Sequence, residues 1–228
     1  PFYHRVDSNG AQLPYLDEII MNIVSSKLIP AKAGGGETDL QGRYLRFSDI
    51  SFLKQIEEQY GFKTLLWRTG KGAHIALYPN MNHEDEAWRT LFRDARFRRA
   101  LSLAINRHEI NQVLYYGFAQ ESANTVLPDS PLYDDKRDKR WSQFDVKRAN
   151  KLMDEIGLER GSNGVRLLPN GQPLEIIIES AGESTEETDV LELIRKTWGE
   201  IGVKLFTKPL QREVLRTRVF SGQTQMAI

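Results

Sequence analysis

Several residue types in this chain could support catalysis, but their spacing does not form an active site. The histidines are scattered, without the H-E-x-x-H pair of a helical zinc site; they are His4, His74, His83 and His108. Cysteine is absent, which excludes disulfides and thiol catalysis, and no G-x-S-x-G elbow presents a serine nucleophile. A metal site assembled from distant residues stays open. We therefore predict no catalytic residue, no metal site and no cofactor.

Two glycine-rich segments could in principle bind an anion. Gly34-Gly35-Gly36 is not followed by the Gly-Lys-Ser/Thr of a phosphate-binding loop, so we interpret it as a flexible turn. The segment Gly70-Lys71-Gly72 is typical of a turn, here between predicted strands at residues 62–67 and 73–78. Neither segment predicts a nucleotide site.

Arg96, Arg98 and Arg99 bring three positive charges close together in the sequence. Guanidinium groups can bind a carboxylate ligand through paired hydrogen bonds. The structural alternative, which we favour, is that their stems cover the core while their charges pair with acids nearby. Exposed pairs contribute only about 0.2–1 kcal/mol, so at least one of the three should be partly buried if they matter to the fold.

These arginines belong to two consecutive predicted helices within residues 92–119. Asp94 is placed to cap the first helix, whose apolar stripe recurs with helical spacing at Phe97, Ala100, Leu101, Ala104 and Ile105. Asn106 opens the second helix, with Glu109 three residues later as in a capping box, and Gly117 predicts its end.

The segment Phe92–Ile110, FRDARFRRALSLAINRHEI, closely resembles a segment shared by the family 5 extracellular solute-binding proteins, the peptide receptors of ABC importers. Two shorter matches precede it in the family's order, Tyr15-Leu16-Asp17 and Gly36-Glu37-Thr38-Asp39. The resemblance covers nearly the whole chain, and the arginine-rich helix is its most specific part.

The resemblance implies an α/β fold, the periplasmic-binding-protein-like (type II) lobe, as a fragment of a larger two-lobed protein. Residues 1–62 would be a short part of the neighbouring lobe and the crossover, and residues 63–228 most of one lobe, truncated at its C-terminal end. In the family, the strand that corresponds to residues near 78 ends in an Asn-bearing segment that faces the ligand. The resemblance therefore implies that Asn80 and Asn82 contact the ligand. Two turn asparagines are the alternative, because Pro79 departs from the family's pattern.

The function implied is a receptor that binds a peptide or related small solute between two lobes and delivers it to a membrane permease, without making or breaking bonds. The intact protein would be periplasmic, or lipid-anchored outside the cell, and a monomer. The family's acidic residue for a ligand ammonium group would follow Ile228, so we expect residues 1–228 alone to bind ligand weakly.

A second candidate site follows from the pattern of elements after residue 173. Leu174–Ile178 predicts a strand buried on both faces, followed by a helix and a returning strand at Val203–Phe206. Ligands bind beyond the carboxyl ends of such parallel strands. The candidate residues are therefore Ser180, Glu183, Ser184 and Thr185. Helix capping by Ser184 and Thr185 is the alternative.

Further elements are predicted from local signals. Residues 16–24 have an apolar, β-rich centre and predict a strand. Ser48 or Asp49 caps a helix that Gly61 ends, and Asp145 caps another that Gly157 ends. Asn170-Gly171 lies between two apolar runs and predicts a hairpin turn.

Composition narrows the function further. The 31 basic residues balance the 31 acidic ones, so no net field favours nucleic acid. No signal peptide is recognisable, and we expect both ends of the sequence to lie within a longer protein. Two alternatives to the receptor stay open: an α/β enzyme domain such as a hydrolase whose catalytic groups lie outside the fragment, and an interaction domain with an apolar patch beside the arginine-rich helix.

Overall fold

A computed structural model describes residues 4–67, 70–182 and 184–228, without the side chain of Asp138. Its internal contacts divide the chain into two units, Pro1–Leu66 and Trp67–Ile228. Throughout the described residues, every helix is too short or too polar to cross a bilayer.

The described residues of the first unit form two α-helices, α1 (Ile29–Gly34) and α2 (Ile50–Tyr60). They pack closely because Gly34 has no side chain: a Cβ there would lie 2.5 Å from Cδ1 of Ile56. Helix α2 ends at Gly61 in the left-handed conformation, φ 67°, as predicted. The predicted cap at Ser48 or Asp49 is wrong: Asp49 precedes the helix, but its side chain accepts from the Arg46 amide at 2.8 Å and makes no capping bond to α2.

The predicted strand at residues 16–24 is wrong. This segment has no regular secondary structure, and its apolar side chains are exposed, Ile23 to 95%. A strand requires a partner for its backbone N–H and C=O groups, and no pairing with these residues exists in the described part of the chain.

The second unit combines helices with a small sheet. Its helices are α3 (Glu86–Arg93), α4 (Ala95–Leu103), α5 (Arg107–Tyr115), α6 (Asp135–Asp138), α7 (Val146–Ile156), α8 (Thr185–Glu200) and α9 (Arg212–Phe220). Its strands are β1 (Tyr78–Pro79), β2 (Glu175–Ser180), β3 (Lys204–Pro209) and β4 (Met226–Ala227).

The described strands form one sheet in the order β1-β4-β2-β3. Strand β2 runs parallel to both β3 and β4, and β1 runs antiparallel to β4. The predicted strand–helix–strand unit is confirmed as β2–α8–β3. Ile176 and Ile178 are buried, but Ile177 between them is 41% exposed, so the prediction of a strand buried on both faces is wrong.

The predicted strands at residues 62–67 and 73–78 are also wrong, apart from Tyr78 in the two-residue strand β1. Residues 62–67 and 73–77 form no helix or strand and have no pairing partner among the described residues. Thr69, in the turn predicted between them, lies outside the described residues.

The core of the second unit lies between the sheet and the helices α3, α4, α7 and α8. Phe92 and Phe97 are completely buried and their rings are in contact, 6.1 Å between centroids. Trp198 joins α8 to α4, because its indole Nε1 donates to the Leu101 carbonyl at 3.1 Å. The apolar stripe predicted for α4 therefore faces this core.

All three predicted caps of α4, α5 and α7 are confirmed. The side chains of Asp94, Asn106 and Asp145 accept hydrogen bonds from backbone N–H groups in the first turn of α4, α5 and α7. Helix α5 ends at Tyr115, and both Tyr116 and Gly117 have positive φ angles, so the helix stops one residue before the predicted stop.

Candidate ligand-binding edge

Because β2, β3 and β4 are parallel, their carboxyl ends lie at one edge of the sheet. We call this the carboxyl edge, formed by residues 180–182, 184–187 and 209–211. Strand β1 is antiparallel, so the residues before it, rather than those after it, approach the same edge. Parallel α/β sheets bind ligands at this edge.

The two loops of the carboxyl edge are fastened to each other. The Leu210 amide donates to the Ser180 carbonyl at 2.9 Å, and the Ser180 side chain is buried. Gly182 has φ 67°, and a Cβ there would lie 3.1 Å from Cβ of Pro209. The close approach of the loops therefore depends on glycine at this position.

The predicted edge residues Ser184 and Thr185 open helix α8. The Ser184 hydroxyl accepts a hydrogen bond from the Glu187 amide at 3.4 Å, which is the capping role given above as the alternative. Thr185 is exposed as the first residue of the helix. Glu183, predicted for the same site, lies outside the described residues.

Asn80 and Asn82 lie toward the other end of the strands. The Asn80 side-chain amide donates to the carbonyls of Gly222 and Thr224, both at 2.9 Å, so it fastens β1 to the turn before β4. The Asn82 side-chain oxygen accepts from Arg93 at 2.8 Å. The structure therefore does not bring these asparagines together with Ser180 and Ser184, and their contact with a ligand stays a prediction.

A cluster of titratable groups lies at the start of α8. Glu186 Oε1 accepts from the Tyr115 hydroxyl at 2.5 Å and lies 3.0 Å from Nε2 of His74. The rings of His74 and Tyr115 meet edge to face, with centroids 5.9 Å apart. This cluster links the segment before β1, the end of α5 and the start of α8.

The cluster changes the ionisation of its members. The hydrogen bond with Glu186 raises the pKa of His74, although partial burial and Lys71 oppose the shift. Burial and, secondly, the bond to Glu186 raise the pKa of Tyr115. The hydrogen bond with Glu186 thus stabilises the protonated form of His74 relative to a free imidazole. Such a group can bind polar atoms of a ligand.

A buried carboxylate supports the edge from within the sheet. Glu179 precedes Ser180 in β2 and is 3% exposed. Its oxygens accept hydrogen bonds from Arg218 on α9 and from the Thr224 hydroxyl at 2.9 Å, and Lys208 of β3 lies 3.4 Å away. These contacts hold β2, β3, α9 and the residue before β4 in one arrangement.

The arginine-rich helix is held by its own contacts. Arg96 pairs with Asp94 at 2.6 Å, Arg98 donates to the Phe92 carbonyl, and Arg99 lies over the Trp141 ring at 4.7 Å. Arg98 and Arg99 are partly buried, which agrees with the structural interpretation. Within the described residues, no group of three or more His, Asp or Glu side chains could hold a metal ion.

Sequence reasoning missed the residues that interact most strongly at this edge. No local spacing connects His74, Tyr115 and Glu186, because only the folded chain brings them together. Glu179 offered a signal, since a carboxylate that ends a run of isoleucines must find a partner when buried. Its partner Arg218 lies 39 residues away, beyond the reach of any local pattern.

Comparison with known proteins assigns the family. The family described as "Bacterial extracellular solute-binding proteins, family 5 Middle" matches residues 2–228. The chain belongs to this family of ABC-transporter solute-binding proteins, and its fold is that of their type II periplasmic-binding lobes. The resemblance inferred from the arginine-rich helix is thus confirmed.

Several relatives have described ligands. The chain is 25% identical to an oligopeptide-binding protein OppA of Lactococcus lactis subsp. lactis over 84% of its length, and 23% identical to a periplasmic alpha-galactoside-binding protein of Rhizobium meliloti over 98%. A solved structure of an oligopeptide-binding protein OppA is 34% identical, with a TM-score of 0.73 over 96% of this chain and 35% of that one. The chain spans about a third of the length of these two curated relatives, 32% of the oligopeptide-binding protein and 34% of the alpha-galactoside-binding protein.

Proposed function

We propose that this chain is part of the solute-binding receptor of an ABC importer, which holds a peptide or related small polar solute and delivers it to a membrane permease. The family match over residues 2–228 carries the proposal. Its supporting feature is the carboxyl edge, where exposed polar groups follow parallel strands.

Within this proposal the ligand contacts the carboxyl edge at Ser180, Ser184 and Thr185, with His74 and Glu186 beside them. These positions combine backbone groups, hydroxyls and the contacting side chains of His74 and Glu186, which suits a solute with several hydrogen-bonding groups. The relatives' described ligands, oligopeptides and alpha-galactosides, are both of this kind. Closure of two lobes would exclude water from such a ligand.

We further propose that residues 1–62 contribute to a neighbouring lobe. Their apolar segment at residues 16–24 is exposed, with Ile19 at 77% and Ile20 at 76%, a surface that a lobe would cover. The protein would act as a monomer outside the cytoplasm, with the permease as its macromolecular partner. The balance of 31 basic and 31 acidic residues suits a solute rather than nucleic acid.

The proposal is tested on the full-length protein that contains this chain. Its melting temperature should rise with one class among peptides, oligosaccharides, opines and metal complexes, because a ligand that binds only the native state stabilises it. No shift with any of these classes, in a protein shown to be folded, would contradict the proposal.

The contact at the carboxyl edge has its own test with a matched control. Thr185→Ala should weaken binding of the identified ligand about two- to tenfold, as expected for one lost hydrogen bond. Thr188→Ala removes the same groups about one helical turn further along α8 and should leave affinity unchanged. Equal effects from both variants would place the ligand elsewhere.

One observation favours the alternative of an enzyme domain: His74 and Tyr115 have shifted pKa values and share Glu186. Both groups converge on the same carboxylate oxygen, however, so neither activates a nucleophile in this arrangement. Mass spectrometry of ligand recovered after prolonged incubation separates the two functions. Unchanged ligand supports the receptor, and a product that accumulates with protein concentration supports the enzyme.

A further inference from the structure

A cationic depression lies on the second unit, between helix α4 and the segment that follows α6. Its volume is about 360 Å³, and its lining consists of Ala95, Arg98, Arg99, Ser102, Arg140 and Trp141. Three of these six side chains are guanidinium groups, and none is a carboxylate. Ligand sites for small molecules start at about this volume, on the order of 300 Å³.

The aromatic wall of the depression is fixed. The guanidinium carbons of Arg99 and Arg148 lie 4.7 and 4.4 Å from the Trp141 ring centroid, so two cations share one indole. The Trp141 carbonyl accepts from the Ser102 hydroxyl at 2.7 Å, and its backbone has φ 64°. The arginines around this tryptophan are therefore held near one another despite their like charges.

Three carboxylates in the segments that border the depression already have other partners. Asp94 pairs with Arg96 at 2.6 Å. Asp135 pairs with Lys139 at 2.9 Å, and Asp134 lies 3.4 Å from Arg137.

The arginines themselves keep most of their donors available. Among the described side chains, neither Arg98, Arg99 nor Arg140 forms an ion pair within 4 Å, and Arg98 makes one hydrogen bond, to the Phe92 carbonyl. Each guanidinium carries five N–H donors. The depression thus collects several positive charges and many donors around an open volume.

We propose that this depression binds a small oxyanion with at least two negative charges, such as a phosphate or a polycarboxylate. Guanidinium groups match the paired oxygens of both anions, and their hydrogen bonds to them are charge-assisted. A multivalent anion also relieves the mutual repulsion of the arginines, which a monovalent ion does less well. This site is separate from the carboxyl edge and does not depend on the proposed transport function.

The test is isothermal titration calorimetry of the full-length protein that contains this chain, with inorganic phosphate and with citrate, each against sodium chloride at the same ionic strength. Saturable binding of one molecule per chain is expected for phosphate, citrate or both, and not for chloride. The probe that binds with the lower Kd identifies the ligand class, phosphate or polycarboxylate. If the heats measured with phosphate and with citrate both equal those measured with sodium chloride, the proposal is overturned.

Two variants locate the site and one controls for general electrostatics. Arg140→Gln and Arg99→Gln should each weaken binding about tenfold, the loss expected for a charge-assisted hydrogen bond. Arg137→Gln removes the same charge three residues from Arg140, but this side chain does not line the depression. Equal weakening by Arg137→Gln, or unchanged affinity in both site variants, would show that no such site exists.

Discussion

Arg218 and Glu179 form a forked ion pair across helix α9 and strand β2. Arg218 Nε donates to both carboxylate oxygens, at 3.1 and 2.9 Å, and Nη2 donates to Oε1 at 2.7 Å. The carboxylate is 3% exposed and the arginine side chain 27%, so the negative charge is buried and the positive one is partly hydrated. The two partners are therefore not equivalent: the buried carboxylate of Glu179 needs the ion pair more than the partly hydrated Arg218 does.

Replacement of Glu179 by glutamine should destabilise the second unit by about 2–3 kcal/mol. Removal of one partner from a buried pair typically costs about 3–5 kcal/mol, and the hydration of Arg218 reduces this cost. The measurement is the free energy of unfolding in urea.

Glu175→Gln is the matched control, because Glu175 lies on the same strand and pairs with Lys204 at 2.9 Å, with both side chains more than a third exposed. Glu175→Gln should lower the free energy of unfolding by less than about 1 kcal/mol. Equal losses of stability in the two variants would show that the burial of Glu179 does not strengthen its ion pair.

The same pair predicts a dependence of stability on acid pH. Burial of Glu179 opposes its ionisation, but the hydrogen bonds from Arg218 and Thr224 and the charge of Lys208 prevail and lower its pKa below the ordinary 4.5. Its contribution is therefore fully present above pH 4.5 and is lost as the pH falls through the lower pKa of the folded state. Urea unfolding from about pH 7 to about pH 3 should show the gap between wild type and Glu179→Gln closing at the acid end. A gap that stays constant would contradict the lowered pKa.

Five helices, α2, α4, α5, α7 and α8, were predictable because their signals are local, whereas α1, α3, α6 and α9 were not predicted. Asp94, Asn106 and Asp145 cap helices as their positions in the sequence predict, since a cap bonds to a backbone N–H only two or three residues away. The turn at Asn170-Gly171 is confirmed for the same reason, with the Gly171 amide donating to the Leu168 carbonyl at 2.8 Å.

The strands were predicted less well because pairing is not local. Residues 16–24 have a strand-like composition but no partner among the described residues. The two-residue strand β1, in contrast, exists because β4 pairs with it from far along the chain, with Pro79 opposite Met226. Ile177 shows the same limit: three consecutive isoleucines could not reveal that one face of β2 is left partly open.

The topology of the carboxyl edge was predictable from the sequence, but the contacts made there were not, and its role as a ligand site stays a prediction. The order strand–helix–strand located the edge at Ser180 and Ser184, because ligand edges follow from topology. Arg107 illustrates what was missed elsewhere in the helical segment: this partly buried side chain donates to the carbonyls of Ser102, Ser122 and Ser142, whereas the sequence directed attention to the three arginines of α4. The partners of a buried polar group become known only from the folded chain.

The contact between His74 and Glu186 at the carboxyl edge predicts that stability depends on pH above the ordinary histidine value of 6.5. His74 has a raised pKa, chiefly because of its hydrogen bond with Glu186. The stabilisation is fully present below the ordinary histidine value of 6.5 and is lost as the pH rises through the raised pKa. NMR titration of the His74 ring should give a midpoint above 6.5, and Glu186→Gln should lower that midpoint. A midpoint that Glu186→Gln leaves unchanged would assign the shift to another cause.

Two glycines with similar backbone angles separate conformational strain from steric crowding at the edge. Gly171 has φ 79° with no atom within 4 Å of the place a Cβ would occupy, whereas Gly182 has φ 67° and Pro209 at 3.1 Å. Gly171→Ala should therefore cost only the backbone strain of a left-handed alanine, about 1–2 kcal/mol. Gly182→Ala should cost about 1 kcal/mol more, because Pro209 must move and the bond between Leu210 and Ser180 is strained with it.

Urea unfolding measures both costs, and amide exchange of Leu210 reports the loop contact directly. Faster exchange at Leu210 is expected in Gly182→Ala and not in Gly171→Ala, since only the first change disturbs the hydrogen bond to the Ser180 carbonyl. If the two variants lose the same stability and Leu210 exchanges at the wild-type rate in both, the close packing of the loops at the carboxyl edge does not depend on Gly182.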